Sequence, residues 1–137
     1  MGAPTVSIAA PADYLLHLAD NALILGQRNA EWCGHGPVLE EDIALSNISL
    51  DLIGQARLLY QHAAGRINAD ANGNGNGNAT EDSLAYFRGV HQFRNYTLLE
   101  LPHFPAATGL LAATARADRD YATTITRNFL YSALMVL

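Results

Sequence analysis

Residues Gln27 to Arg57 decide the fold. They read Gln-Arg-Asn-Ala-Glu-Trp-Cys-Gly-His-Gly-Pro-Val, then Leu-Glu-Glu-Asp-Ile-Ala-Leu-Ser-Asn-Ile-Ser-Leu-Asp-Leu-Ile-Gly-Gln-Ala-Arg. Gly34, Gly36 and Pro37 break a helix and turn the chain. Upstream, Asp13 is a natural N-cap for a helix expected from about Tyr14 to Trp32. Its Leu15, Leu18, Ala22 and Leu25 recur at a helical period, and a polar stripe runs Asp13, His17, Asp20, Gln27, Glu31. Downstream, a second helix is expected from about Val38 to Ile67. Glu40, Glu41 and Asp42 fall in its first turns, where carboxylates favour the positive end of the helix dipole. Beyond them it is apolar on more than one face: Ile43, Leu45, Ile48, Leu50, Leu52, Ile53, Leu58 and Leu59. A helix of that apolar girth is expected to be buried on several sides, which calls for a partner subunit.

Working outward, residues 1–12 read as a loose arm. Residues 68–80, with their Asn-Gly alternation, have nothing to bury and read as a mobile surface loop. They lack the Lys-Ser/Thr of a phosphate-cradling loop. Thr80 and Ser83 open a third helix, expected to reach Leu101 before Pro102 and Pro105 break it. A fourth is expected from Leu110 or Thr114 to Leu137. It ends on Phe129, Leu130, Leu134, Met135, Val136 and Leu137, a naked apolar helix end that reads as the N-terminal part of a longer or interrupted protein. The whole is all-α, a ferritin-like antiparallel helical bundle over residues 13–137, incomplete in this chain.

Composition narrows the function classes. The chain has 137 residues, half of them apolar, enough for one packed domain. Its net charge of −5 and lack of a basic patch argue against a nucleic-acid partner. All eight basic residues are Arg. Cys33 is the single cysteine, so no internal disulfide forms, and a reduced cytoplasmic setting fits. No run approaches the ~20 apolar residues of a membrane span.

A ferritin-like di-metal site needs a Glu on one helix and Glu-x-x-His on its neighbour, repeated in a second helix pair. The literal match is Glu100-Leu101-Pro102-His103. Pro102 pushes Leu101 out of the α region, so Glu100 and His103 do not share a helical face. In the second helix, where a ligand pair belongs, Asn47, Asp51 and Gln55 follow at four-residue steps, with Gly54 where a His would stand. One carboxylate and two amides make a hydrogen-bonding stripe, not a ligand set. Either it turns inward, with Asp51 paired to Arg28 or Arg57, or it faces solvent. Cys33-Gly34-His35 offers two soft ligands where zinc needs four, and a glycine turn gives a Cys–His pair no fixed geometry for catalysis. Trp32 is expected to be a packing anchor at the helix end.

These residues resemble the PaaC subunits of bacterial phenylacetyl-CoA 1,2-epoxidases. The resemblance rests on Leu18-x-Asp20-Asn21, Gln27-Arg28, Glu31-Trp32-Cys33-Gly34-His35-x-Pro37-x-Leu39-Glu40, and Asp42 through Arg57. A weaker block is Glu81-Asp82-x-Leu84-Ala85-Tyr86 with Arg88, Phe93 and Asn95. The resemblance implies a subunit without metal, cofactor or catalytic residues. It implies partnership with a PaaA-like sister subunit that carries a di-iron centre. It further implies electrons from NADPH through a flavin and iron–sulfur reductase subunit. The Asn-Gly loop, the Glu100–His103 sequence and the length depart from the pattern. The expected structural polar network is Asp20, Arg28, Glu31, Asn47, Asp51, Gln55 and Arg57. Two rivals stand beside this reading: a di-metal enzyme whose remaining ligands lie beyond Leu137, and a helical scaffold unrelated to oxygenases.

Overall fold

A computed structural model describes residues 11–71, 78–101 and 121–136. These residues are all-α in a ferritin-like arrangement, with no strand among them. Helix α1 spans Ala12–Ala30 and α2 spans Leu39–Ala71. Short helices follow, α3 at Glu81–Tyr86 and α4 at Thr97–Glu100, with a 3₁₀ turn at Val90–Gln92 between them. Helix α5 spans Tyr121–Val136. Among the described residues no helix is long and apolar enough to cross a membrane.

The α1–α2 turn explains the Cys-Gly-His-Gly-Pro signature. Gly34 sits at φ 76°, in the left-handed region. Its N–H donates to both Asp42 carboxylate oxygens, at 3.1 and 2.9 Å, tying the turn to the start of α2. A Cβ at Gly36 would lie 2.7 Å from the Asp42 Cβ, so only glycine fits there. The hairpin is antiparallel. Gly34 meets Asp42, Gly26 meets Leu52 and Ile53, and Asp20 meets Tyr60.

The core lies along this hairpin: Leu15, Ala19, Ala22 and Leu25 of α1 against Leu52, Ala56, Tyr60, Ala63 and Ala64 of α2. Leu84, Leu99 and Tyr131 close it from α3, α4 and α5. Helix α5 runs antiparallel to α1. Thr124 accepts from the Trp32 indole N–H at 2.9 Å. One turn on, Asn29 and Asn128 exchange amide hydrogen bonds of 2.8 and 2.9 Å.

Several boundaries differ from the sequence expectation. Helix α1 is preceded by Pro11, so Asp13 lies inside the first turn and not at the cap. Helix α2 continues through Ala71, four residues into the stretch expected to be loop. Asn68 then anchors the returning chain by donating to the Ala79 carbonyl and accepting from its N–H, both at 2.9 Å. Residues 72–77 of that loop lie outside the described residues. The single third helix expected over 80–101 is instead two short helices with an extended link. Asp20 and Asn21 bind the backbone N–H groups of Arg94 and Tyr96, and a helix would use those donors internally. The arm at 1–10, the Pro102–Pro105 break and the proposed start of the last helix also lie outside the described residues.

Helix α2 is buried on one face only. Ile43, Leu50 and Leu58 are more than half exposed, and Ile48 and Ile53 are exposed as well. Packing against α1 and α3 covers the Leu45-Ser49-Leu52-Ala56-Tyr60-Ala63 side and leaves the opposite side open. The described residues thus supply α2 with a neighbour on one side only, and the burial on several sides expected of its apolar girth, which called for a partner subunit, is not supplied by them.

Candidate functional site

The strongest concentration of buried chemistry is centred on Asp20, which is 1% exposed. Its Oδ1 accepts from the Tyr60 hydroxyl at 2.6 Å and from Nη2 of Arg88. Its Oδ2 accepts from Nη1 of Arg88 at 3.2 Å and from the Arg94 backbone N–H at 2.8 Å. The guanidinium therefore grips the carboxylate with two prongs, a charge-assisted geometry stronger than a neutral hydrogen bond. Arg88 also donates to the Leu84 and Gln92 carbonyls. Its guanidinium carbon lies 4.2 Å from the Phe93 ring centre and 5.5 Å from that of Tyr60, a cation–π setting. Burial, then the hydrogen bond and charge of Asp20, push the Tyr60 phenol well above its ordinary pKa, with Arg88 opposing.

Next to it Asn21 accepts from the Tyr96 N–H at 2.7 Å and donates to Nε2 of His17 at 3.3 Å. His17 Nδ1 donates to the Arg94 carbonyl. Those partners require the neutral imidazole with its proton on Nδ1. The His17 ring meets Tyr96 edge-on, with centroids 4.7 Å apart. The cluster straps residues 88–96 across α1.

A second cluster stands at the far end of α1. Arg28 donates to Glu31 at 2.7 Å and to the Glu100 carbonyl at 2.6 Å. Trp32 is buried there, edge-on to Tyr121 at 5.5 Å. Tyr121 donates to Glu41 of α2, and burial followed by that bond pushes its phenol up to about 12. Arg127 is buried, and its Nε and Nη1 have no hydrogen-bond partner among the described residues. Burial first, then the Arg28 charge, pulls its pKa down, and Glu31 opposes the shift.

The expected network divides. Asp20, Arg28 and Glu31 hold polar partners as described. Asn47, Asp51, Gln55 and Arg57 are exposed and do not join them. The inward reading of that stripe is corrected. At 3.6 residues per turn these positions lie away from the Leu45–Ala63 face that α2 turns to α1. Arg57 pairs with Glu81 at 2.9 Å, and Asp51 has no ion-pair partner among the described residues. Tyr60, Arg88, Asn29 and Asn128 were missed as network members. Asp20 and Arg88 are separated by two helices, and no local spacing joins them.

The described residues do not fit a di-metal ligand set. No group of three His, Cys, Asp or Glu among them is placed to hold a metal ion. Asp20 has its oxygens occupied by Arg88, Tyr60 and a backbone N–H. Glu100 ends α4, and Leu101 has left the α region at ψ 129°, as its following proline requires. His103 lies outside the described residues. Cys33 and His35 are exposed, and the His35 ring is turned to the Cys33 carbonyl at 3.0 Å.

Comparison with known proteins now adds to this geometry. The family model described as phenylacetic acid catabolic protein matches residues 2–137. The chain is 49% identical over 90 residues to the C subunit of the 1,2-phenylacetyl-CoA epoxidase of Escherichia coli (strain K12), a match covering 66% of this chain and 33% of the relative. The matched stretch thus spans about a third of the relative's length. With the family model covering nearly every residue, the chain belongs to the phenylacetic acid catabolic protein family.

Proposed function

We propose that this chain is a structural, non-catalytic subunit of a multicomponent oxygenase that epoxidises phenylacetyl-CoA, and that it supports a PaaA-like sister subunit holding a di-iron centre. The observation that carries the reading is what fills the hairpin interior. A di-metal bundle projects carboxylates and imidazoles inward from facing helices. Here the inward polar groups of α1 are Asp20, sealed by Arg88 and Tyr60, and the amides of Asn21 and Asn29. Such a network orders helices without a metal. The likeness to the C subunit of an epoxidase supports the pathway assignment. In this reading NADPH is the electron source, delivered by a reductase subunit with flavin and iron–sulfur groups, and the complex works in the cytoplasm.

The test is co-expression of the chain with the di-iron sister subunit from the same genome, followed by elemental analysis of each chain and of the complex. Iron is expected with the sister chain alone, and epoxidation with the complex and reductase together. Stoichiometric iron in this chain purified by itself would overturn the non-catalytic assignment. Failure to associate with the sister subunit would overturn the partnership.

A further inference from the structure

Arg127 is a buried cation that meets no counter-charge among the described residues. It is 3% exposed, its Nε and Nη1 have no hydrogen-bond partner there, and none of the ion pairs there includes it. Glu31, at the same end of α1, is engaged by Arg28 at 2.7 Å. A guanidinium taken out of water without an anion raises the free energy of the fold, and an arriving anion lowers it again. The surroundings of Arg127 show what shape of anion fits. With Leu98, Leu101, Thr126 and Leu130 it lines a groove of about 290 Å³ between α5 and residues 96–101. Leu98 and Leu130 also line the next stretch, about 270 Å³, which continues past Tyr96, Leu99 and Leu134. The two stretches therefore form one slot, charged at one end and apolar at the other. Its leucines Leu98, Leu101, Leu130 and Leu134 are 43%, 49%, 47% and 46% exposed, so a ligand can enter from solvent.

We propose that this slot binds a medium-chain monocarboxylate, with its carboxylate on the Arg127 guanidinium and its acyl chain along Leu98, Leu130 and Leu134. Arg127 and Leu134 stand seven residues apart on α5. That spacing is a rise of about 10.5 Å along the helix, comparable to an extended medium-chain acyl group. The guanidinium fixes the direction of the ligand, and the apolar length supplies most of the affinity.

Charge and lining select this class of ligand. One guanidinium neutralises one negative charge and matches the two oxygens of a carboxylate, whereas a phosphate dianion calls for a second cation. Arg28 does not serve as that cation, since it is engaged by Glu31 and the Glu100 carbonyl. Beyond Leu130 the lining is dominated by Leu99, Leu134 and the Tyr96 and Tyr131 rings, which offers little to a sugar or a nucleotide. An acidic side chain of another protein would reach Arg127 but leave the apolar length of the slot empty.

The experiment is calorimetric titration of the full chain with octanoate, with octanol and acetate as controls and a thermal melt of each variant. Octanoate is expected to bind and to raise the melting temperature. Octanol, which has the chain without the charge, is expected to bind about tenfold more weakly or worse. Acetate, which has the charge without the chain, is expected to be weaker by about a hundredfold or more. Arg127→Met is expected to bring octanoate down to the level of octanol, with a melt unchanged or higher because an unpaired buried charge is gone. Leu134→Trp, at a half-exposed position, is expected to fill the apolar end and move the preferred ligand from octanoate to butyrate. The octanol comparison and Leu134→Trp leave the buried arginine in place, so they decide the matter even for an Arg127→Met chain that folds poorly. No octanoate binding by the wild type would overturn the proposal. So would octanol or Arg127→Met binding as tight as wild type with octanoate, or a chain-length preference that Leu134→Trp does not move. Acetate as tight as octanoate would reduce the site to an adventitious anion contact and overturn it equally.

Discussion

Helices α1 and α2 flank the same turn and carry similar proportions of polar side chains, yet they use them in opposite ways. Helix α1 buries eight of its 19 residues, among them Asp20, Asn21 and Asn29. Helix α2 buries seven of 33, and of those only Ser49 and the Tyr60 hydroxyl bring polar side-chain atoms inside. The difference comes from what arrives later in the chain. Residues 84–101 and α5 pack on α1 and bring it Arg88, two backbone N–H donors and Asn128. On α2 they cover the flanks and leave the outer stripe unmatched. A polar stripe on a helix thus becomes structure or surface according to the partners that reach it.

The largest consequence of that contrast falls on Asp20. Removing its carboxylate leaves the Arg88 guanidinium, 11% exposed, without its counter-charge. Breaking one side of a buried pair costs ~3–5 kcal/mol, more than replacing both sides with apolar groups. Asp20→Ala is therefore expected to lower unfolding stability by about that amount in a denaturant titration. The double change Asp20→Leu with Arg88→Met is expected to recover part of the loss. An Asp20→Ala chain as stable as wild type would mean that the knot is not the organising element of α1.

Two glycines sharpen the comparison at smaller magnitude. A Cβ at Gly26 would sit 3.0 Å from Cγ1 of Ile53 and 3.3 Å from both the Leu52 Cβ and the Ser49 carbonyl oxygen, in the hairpin seam. Overpacking of ~1–3 kcal/mol outweighs the ~1 kcal/mol helix-propensity gain of Gly→Ala. Gly54→Ala meets no neighbour and retains that gain. Gly26→Ala is expected to lower the melting temperature and Gly54→Ala to raise it. Equal shifts would show that α1 and α2 approach no more closely at one glycine than is open at the other.

How much of this was legible before folding depends on the range of the interaction. The hairpin was readable because its signals are local: the glycines and Pro37 of the turn, the acidic start of α2, and the Leu15–Leu25 period. The block from Gln27 to Arg57 also carried the family resemblance. The break of the expected third helix was not readable, because its cause is the pair Asp20 and Asn21, far away in sequence. The Asn29–Asn128 exchange spans nearly the whole chain. For the Asn47–Asp51–Gln55 stripe, periodicity gives the face but not its neighbours, and it is the position of α1 on the other side of α2 that turns the stripe outward.

Alkaline pH probes the Tyr contacts that tie the two helices to their neighbours. A phenol whose folded pKa lies above its unfolded value of 10.0 adds stability that is complete below pH 10 and lost as pH rises through the folded pKa. For Tyr121, pushed up to about 12 by burial and then by Glu41, the window runs from pH 10 to about 12. Tyr60 is raised further, so its contribution starts to fall at the same pH 10 and goes on falling past the end of that window. Melting temperature is therefore expected to fall steadily above pH 10, and Tyr121→Phe to flatten the first part of that fall. An unchanged slope for Tyr121→Phe would separate the Trp32–Tyr121–Glu41 corner from folding stability.

The smallest expected effect is the one that most cleanly separates the two helices. Asp51 lies on the same kind of four-residue stripe as the α1 carboxylates, but it is exposed and has no ion-pair partner among the described residues. Surface substitutions of that kind shift stability by no more than about 0.5 kcal/mol. Asp51→Ala is therefore expected to leave folding stability within that range, against the several kcal/mol expected of Asp20→Ala. A loss of about 2 kcal/mol would place Asp51 in a buried polar contact and return the α2 stripe to the interior.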